Sequence, residues 1–252
     1  MTTVTGPVTG PPRAPARLTM TPGRRVTLLI GVPVALALIG LNALSLVADV
    51  GTASFPVSRT IPVDHGRLAA STDGGDFTVR QGPAGGPARL AGAVQYSLIR
   101  PDFAVNGTGI SLHCRLFLGN CGLNATLTVP LRTALDLTSG GGNLSDSGAG
   151  SILHFTTSGG DVDGSGLLAP DVTVESGGGD VSLTFTRVPA NIDIGSSGGD
   201  ITIVLPRGAT EYAISHSTAG GDYGALVPAN KFAAHKITVR SGGGDVSIIE
   251  PP

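Results

Sequence analysis

One short repeated motif constrains this chain more than any other feature. Gly-Gly followed by Asp, once by Asn, recurs with that last residue at Asp76, Asn143, Asp161, Asp180, Asp200, Asp222 and Asp245. From Asn143 onward the copies lie 18, 19, 20, 22 and 23 residues apart. A period near twenty marks stacked supersecondary units, each too small to bury its own apolar face.

Aligning the copies on the Asp exposes a second regularity. Eight and six residues before it stand Leu68 and Ala70, Leu135 and Leu137, Leu153 and Phe155, Val172 and Val174, Ile192 and Ile194, and Ile237 and Val239. Only His216, paired with Ile214, breaks the apolar rule. Just after it come Phe77, Leu144, Val162, Val181, Ile201, Tyr223 and Val246. Apolar residues two apart are strand spacing, so each unit reads as strand, glycine corner, strand, with one buried face. The expected class is all-β, a β-solenoid-like stack of short strands with glycine-rich corners. The 39 glycines argue against a helical bundle, since each interior Gly costs a helix about 1 kcal/mol relative to Ala. Only 4% of residues are aromatic, which suits a narrow aliphatic core. Glycine reaches positive φ freely, and the Asp or Asn oxygen can accept N–H groups left unpaired in the turn. On that basis Gly178→Val and Gly243→Val are expected to destabilise the stack. Pro251 and Pro252 read as a stop to further strand pairing.

Thr-Ser-Gly-Gly-Gly-Asn (138–143), Glu-Ser-Gly-Gly-Gly-Asp (175–180), Ser-Ser-Gly-Gly-Asp (196–200) and Arg-Ser-Gly-Gly-Gly-Asp (240–245) alternate with segments such as Val-Pro-Ala-Asn-Ile-Asp-Ile (188–194). This pattern resembles the bacterial adhesin-like, or toast-rack, domains of unknown function, well over about 130–252 and loosely over 55–129. The resemblance implies a β-solenoid-like stack on the outer face of a bacterial membrane, and some relatives accompany envelope-stress sensors. It supplies no catalytic residues. The chain departs from the pattern between Asp76 and Asn143, where 67 residues pass without a glycine corner, as an inserted hairpin or as degenerate coils.

The N-terminal quarter differs in kind. Residues 1–25 hold four arginines and no acid and read as a disordered cytoplasmic tail. Residues 26–48 carry no charge, and 23 residues at about 1.5 Å rise span a bilayer core of roughly 30 Å, which predicts a transmembrane helix. Arg24 and Arg25 before it and Asp49 after it orient the tail inward. A cleaved secretory signal ending near Gly51-Thr52-Ala53 is the rival, and either reading exports the rest. Residues 49–60 read as a linker and 61–252 as the extracytoplasmic β-repeat domain. From Gly51 onward 17 acids face 12 bases, a net charge that favours neither nucleic acid nor anionic lipid headgroups. In an oxidising compartment Cys114 and Cys121, with Gly119-Asn120 between them, are expected to form a disulfide. A redox-active pair or a zinc site is the sharper alternative, but neither finds its usual ligand spacing.

Calcium is the first chemistry suggested by carboxylates beside glycines, with Asp161, Asp163 and Asp180 the best cluster; solvated turn carboxylates are the plainer reading. A glycan-active β-helix would need converging carboxylates or a carboxylate with a base, and aromatic platforms, which are scarce here. Gly195-Ser196-Ser197-Gly198-Gly199 matches a nucleophile pattern by letter but lacks the strand-to-helix elbow. His65, His113, His154, His216 and His235 show no ligand spacing. No catalytic or cofactor residue is therefore expected. The expected function is a membrane-anchored, non-enzymatic module for adhesion or interaction with an envelope protein or the cell wall. The alternatives are an accessory regulator of an envelope-stress sensor and, less favoured, the glycan enzyme.

Overall fold

The computed structural model describes residues 52–63, 66–115, 120–148 and 150–251. The expected tail and helix at 1–25 and 26–48 lie outside them, and no helix among the described residues is long and apolar enough to cross a membrane.

The described residues form strands joined by corners. They begin with β1 (Thr52–Ile61), β2 (Arg67–Thr72), β3 (Phe77–Gly82), β4 (Ala88–Ser97), β5 (Asp102–Asn106), β6 (Gly109–His113) and β7 (Cys121–Pro130). Next come β8 (Ala134–Ser139), β9 (Leu144–Ser147), β10 (Leu153–Thr157), β11 (Val162–Leu167), β12 (Asp171–Ser176) and β13 (Val181–Phe185). The last are β14 (Asn191–Ser196), β15 (Ile201–Val204), β16 (Tyr212–Thr218), β17 (Tyr223–Ala225), β18 (His235–Ser241) and β19 (Val246–Ile249).

Each repeat crosses from one sheet to the other at its glycine corner. A ten-stranded sheet runs in the order β1-β4-β7-β3-β9-β11-β13-β15-β19-β17, and a nine-stranded sheet in the order β16-β18-β14-β12-β10-β8-β2-β6-β5. The register follows the motif: Leu153 lies beside Leu135 and Val172, and Val181 beside Val162 and Ile201. Leu68, Leu135, Leu153, Val172, Ile192 and Ile237 therefore form one buried row, and Phe77, Leu144, Val162, Val181, Ile201 and Val246 another. Removing such side chains from water contributes about 1.5–3 kcal/mol each, so the repeated aliphatic pair is what holds the two sheets together.

The stack does not follow chain order. The last repeat, β18 and β19, lies between β14–β15 and β16–β17. Its core residues Ile237, Val239, Val246 and Ile248 are all buried, whereas His216 is exposed and Ile214 and Tyr223 are only partly covered. A coil with aliphatic residues at every inward position can be covered on both sides; one carrying His216 cannot, and it takes the end. The C-terminal prolines, read as a stop to further strand pairing, follow a strand that ends at Ile249 and is paired on both sides, by β15 and β17.

The other end is built from the segment that lacks glycine corners, which is both a degenerate coil and a hairpin. β6 and β7 form a coil beside β2 and β3. β4 and β1 add antiparallel strands outside β7, and β5 folds back on β6. β1 begins at Thr52, so most of the segment read as a linker over 49–60 is a strand of the domain. Cys114 and Cys121 form the expected disulfide, with Cα atoms 6.1 Å apart, at the crossing from β6 to β7 where the other coils carry glycine.

Candidate functional site

The Asp and Asn of the motif form a row bonded continuously from coil to coil. The amide N–H of Asp180 donates to Asp161 Oδ1 at 2.9 Å, that of Asp200 to Asp180 Oδ1 at 2.8 Å, and that of Asp245 to Asp200 Oδ1 at 2.8 Å. Asp222 donates to Asp245 Oδ1 at 2.7 Å. In the other direction Asp161 donates to Asn143, Asn143 to Asp76, and Asp76 to Asn124 Oδ1. Every one of these side chains but that of Asp222 thus accepts the corner amide of the next coil, not of its own turn. Asn124 is an eighth member without the Gly-Gly signal.

Two further rows support this ladder. A hydroxyl stands four residues before each Asp or Asn of the motif, at Thr72, Ser139, Thr157, Ser176, Ser196, Thr218 and Ser241. All but Thr218 are buried. They serve the inward-turned backbone of the corner: Gly142 N–H donates to Ser139 Oγ at 2.9 Å and Gly160 N–H to Thr157 Oγ1 at 3.0 Å. Ser176 Oγ donates to Gly179 O at 3.2 Å. This row was visible in the motif and sequence reasoning passed over it. The glycine directly before the Asp is the sterically demanding one. A Cβ on Gly179 would lie 2.2 Å from Gly160 O, and one on Gly244 would lie 2.2 Å from Gly199 O at a φ of +79°. Gly178 and Gly243 face open space and have ordinary φ, so the expected intolerance to Gly178→Val and Gly243→Val is misplaced by one residue.

Asp161, Asp163 and Asp180 do come together, lining a shallow groove of about 300 Å³ with Asn143, Ser145, Val162 and Ser182. No Arg, Lys or His joins that lining. Among the described residues no group of three or more His, Cys, Asp or Glu is arranged to hold a metal ion. The Gly195–Gly199 pattern is the strand-to-strand corner between β14 and β15, with no helix behind it. Over that corner Arg240 donates from Nη2 to Asp193 Oδ1 at 2.8 Å and lies 3.8 Å from Glu175. A Cβ on Gly195 would meet Glu175 Oε2 at 2.4 Å, so the bare glycine lets the carboxylate fold across. All three charged groups are about half exposed, and such pairs contribute only about 0–1 kcal/mol. One carboxylate, Asp146, is buried where neighbouring coils carry Val79 and Gly164.

The end at β16 and β17 is an edge of both sheets, as β1 and β5 are at the other end. Tyr212 bonds outward, its N–H to Pro228 O and its O to Asn230 N–H. Alternation along a parallel ladder then turns the main-chain groups of Ile214, His216 and Thr218 outward as well. The His216 and Tyr223 rings stack there at 3.5 Å, nearly parallel, and burial raises the Tyr223 phenol above its ordinary range. Leu226 and Phe232 nearby are 80% and 82% exposed. Asp222 closes the ladder: its amide is used, and no N–H from a further coil reaches its carboxylate among the described residues.

Comparison with solved structures finds a candidate cell adhesion protein of Clostridium sporogenes, 12% identical, with a TM-score of 0.46, covering 79% of this chain and 100% of that one. A candidate adhesin of Bacteroides fragilis is 13% identical with a TM-score of 0.44, covering 79% of this chain and 97% of that one. No curated protein matches the sequence. The model of the Toastrack DUF4097 family matches residues 60–249, which contain every coil described above. The chain is a member of that toast-rack family.

Proposed function

We propose that the protein is a membrane-anchored, extracytoplasmic and non-enzymatic binding module that engages an envelope protein through the open end of its stack. One observation carries this. The polar residues that the repeat sets in rows are spent on holding coil to coil, whereas β16 and β17 leave both sheets unfinished. The occupant that fits is an extended strand. It can bond the outward main-chain groups of Ile214, His216 and Thr218, bring an N–H to the Asp222 carboxylate, and cover Leu226 and Phe232. The apolar run at 26–48 would anchor the module.

Replacing Phe232 with benzoylphenylalanine in the full chain and irradiating intact cells is expected to give one discrete protein adduct. The same probe at Ile152, which is 52% exposed but lies away from the open end, is expected to give none. No adduct at Phe232, or equal adducts at both positions, contradicts the reading. An adduct to a histidine kinase or anti-sigma factor would identify the partner as a sensor system.

A further inference from the structure

The exported part is acidic as a whole, but its charge is divided along the stack. Residues 52–132 hold seven arginines against four acids, whereas residues 133–252 hold five cations against thirteen acids. The basic share includes the end formed by β1, β4 and β5. There Phe55, Pro56, Val57, Arg59, Arg100, Pro101 and Phe103 line a groove of about 410 Å³.

Three features of that end point the same way. Arg59 and Arg100 have no carboxylate partner among the described residues. Arg59 Nη1 donates to Ser58 O at 3.1 Å, and the Arg100 guanidinium lies over the Phe55 ring at 4.5 Å. The acid nearest Arg100 in sequence, Asp102, is taken by Arg115 through two bonds of 2.8 Å. Beside Arg100, Leu98 and Ile99 stand 53% and 43% exposed at the turn after β4, and Leu98 is held at a φ of +66°; Arg59, the register partner of Leu90, lies further along β1. Two consecutive bare aliphatic residues next to Arg100, with Arg59 further along the same edge strand, make this edge amphipathic, apolar at its point and basic along its flank.

The third feature is where the tip sits relative to the chain's entry. Thr52, the first residue of β1, is the register partner of Ser97. The uncharged run ends at Ala48, and four residues reach at most about 14 Å. With about 5 Å between paired strands and about 3.8 Å from Ser97 to Leu98, the chain connection cannot separate Leu98 from the end of that run by more than about 23 Å. A tether this short turns weak surface attraction into an intramolecular event.

We propose that this end of the stack docks on the anionic phospholipid headgroups of the membrane that anchors the chain. Arg59 and Arg100 meet lipid phosphate, and Leu98 and Ile99 enter the headgroup boundary. The acidic remainder of the stack is repelled from the same surface, which turns the open end at β16 and β17 away from it. The proposal rests on the membrane-anchor reading of residues 26–48.

The chain contains no Trp, so Ile99→Trp makes a single reporter at the tip and Phe232→Trp one at the far end. Full-length variants are reconstituted in vesicles of phosphatidylcholine with or without 30% phosphatidylglycerol, a proportion of about one anionic lipid in three chosen to give a surface potential. The expected result is blue-shifted emission quenched by brominated lipid for Ile99→Trp in the anionic vesicles only, and water-like emission for Phe232→Trp in both. Adding Arg59→Ser and Arg100→Ser is expected to reduce the quenched fraction about tenfold, as is raising salt to about 0.5 M. Water-like Ile99→Trp emission in a protein that resists carbonate extraction overturns the docking and leaves the anchor standing. Complete extraction by carbonate overturns the anchor and the docking with it. An equal shift in neutral vesicles, or a shift at Phe232→Trp, also overturns the proposal.

Discussion

Asp180 accepts the amide of Asp200 while its own amide is held by Asp161. That task needs an oxygen at the right place and does not need a charge, as Asn143 and Asn124 show by filling the same role. Five carboxylates nevertheless stack in succession, at Asp161, Asp180, Asp200, Asp245 and Asp222. Neighbours about 4.8 Å apart repel by roughly 0.9 kcal/mol in water, whereas a hydrogen bond to a charged acceptor contributes about 1.5–3 kcal/mol. The bond wins at each step. Asp180→Asn is therefore expected to leave stability unchanged or raise it by up to about 1 kcal/mol, and Asp180→Ala to lower it by about 1.5–3 kcal/mol, both read from urea unfolding midpoints. Equal losses for the two would show that the charge matters for its own sake. The residue type of the ladder was legible from the motif, because only a short side-chain acceptor suits such a corner. Its partner was not, because local spacing cannot show which coil lies next. Asn124 escaped notice for the same reason: Gly-Leu precedes it in place of Gly-Gly, and only its position beside Asp76 reveals the match.

At the scale of the element, alternation two apart placed nearly every inward residue of the repeats on the correct face, and the register of neighbouring strands then followed from the motif. The corner itself was read only in part. Positive φ does occur at Gly75, Gly199, Gly221 and Gly244. At Gly142, Gly160 and Gly179 the demand comes instead from the backbone of the adjacent coil, which no single repeat contains. Gly179→Ala is expected to cost about 1–3 kcal/mol or more through overpacking against Gly160 O, and Gly178→Ala less than about 0.5 kcal/mol, by chemical denaturation. A larger loss at Gly178 than at Gly179 would mean that the corner is shaped by its own turn. The disulfide fits the same logic. Where the chain crosses from β6 to β7 without Gly-Gly, a covalent link holds the crossing and Gly122 supplies the close approach to Gly74 and Gly75. Compartment chemistry made the pairing legible; its place at a corner became visible only when β6 and β7 proved to be a coil.

For the whole molecule, the informative residue is the one that broke the pattern. His216 was the single polar residue among the aligned inward positions, and its coil occupies the open end of the stack although it is not the last in sequence. Its side chain stacks on Tyr223 over the rim, where no further coil covers it. Consecutive repeats usually lie side by side, so nothing local marks β18 and β19 as inserted ahead of β16 and β17. That order puts the coil of β16 and β17 at the edge proposed for a partner strand, at the opposite end of the stack from β1 and β5. Residue-resolved hydrogen exchange on the intact protein tests it directly. The amides of β19 and of Asp245 are expected to rank with those of β13 and β15 among the slowest, while Tyr223 and the outward-facing amides of Ile214 and His216 exchange at least tenfold faster. Faster exchange in β18 and β19 than in β16 and β17 would put the last repeat at the edge and contradict the account.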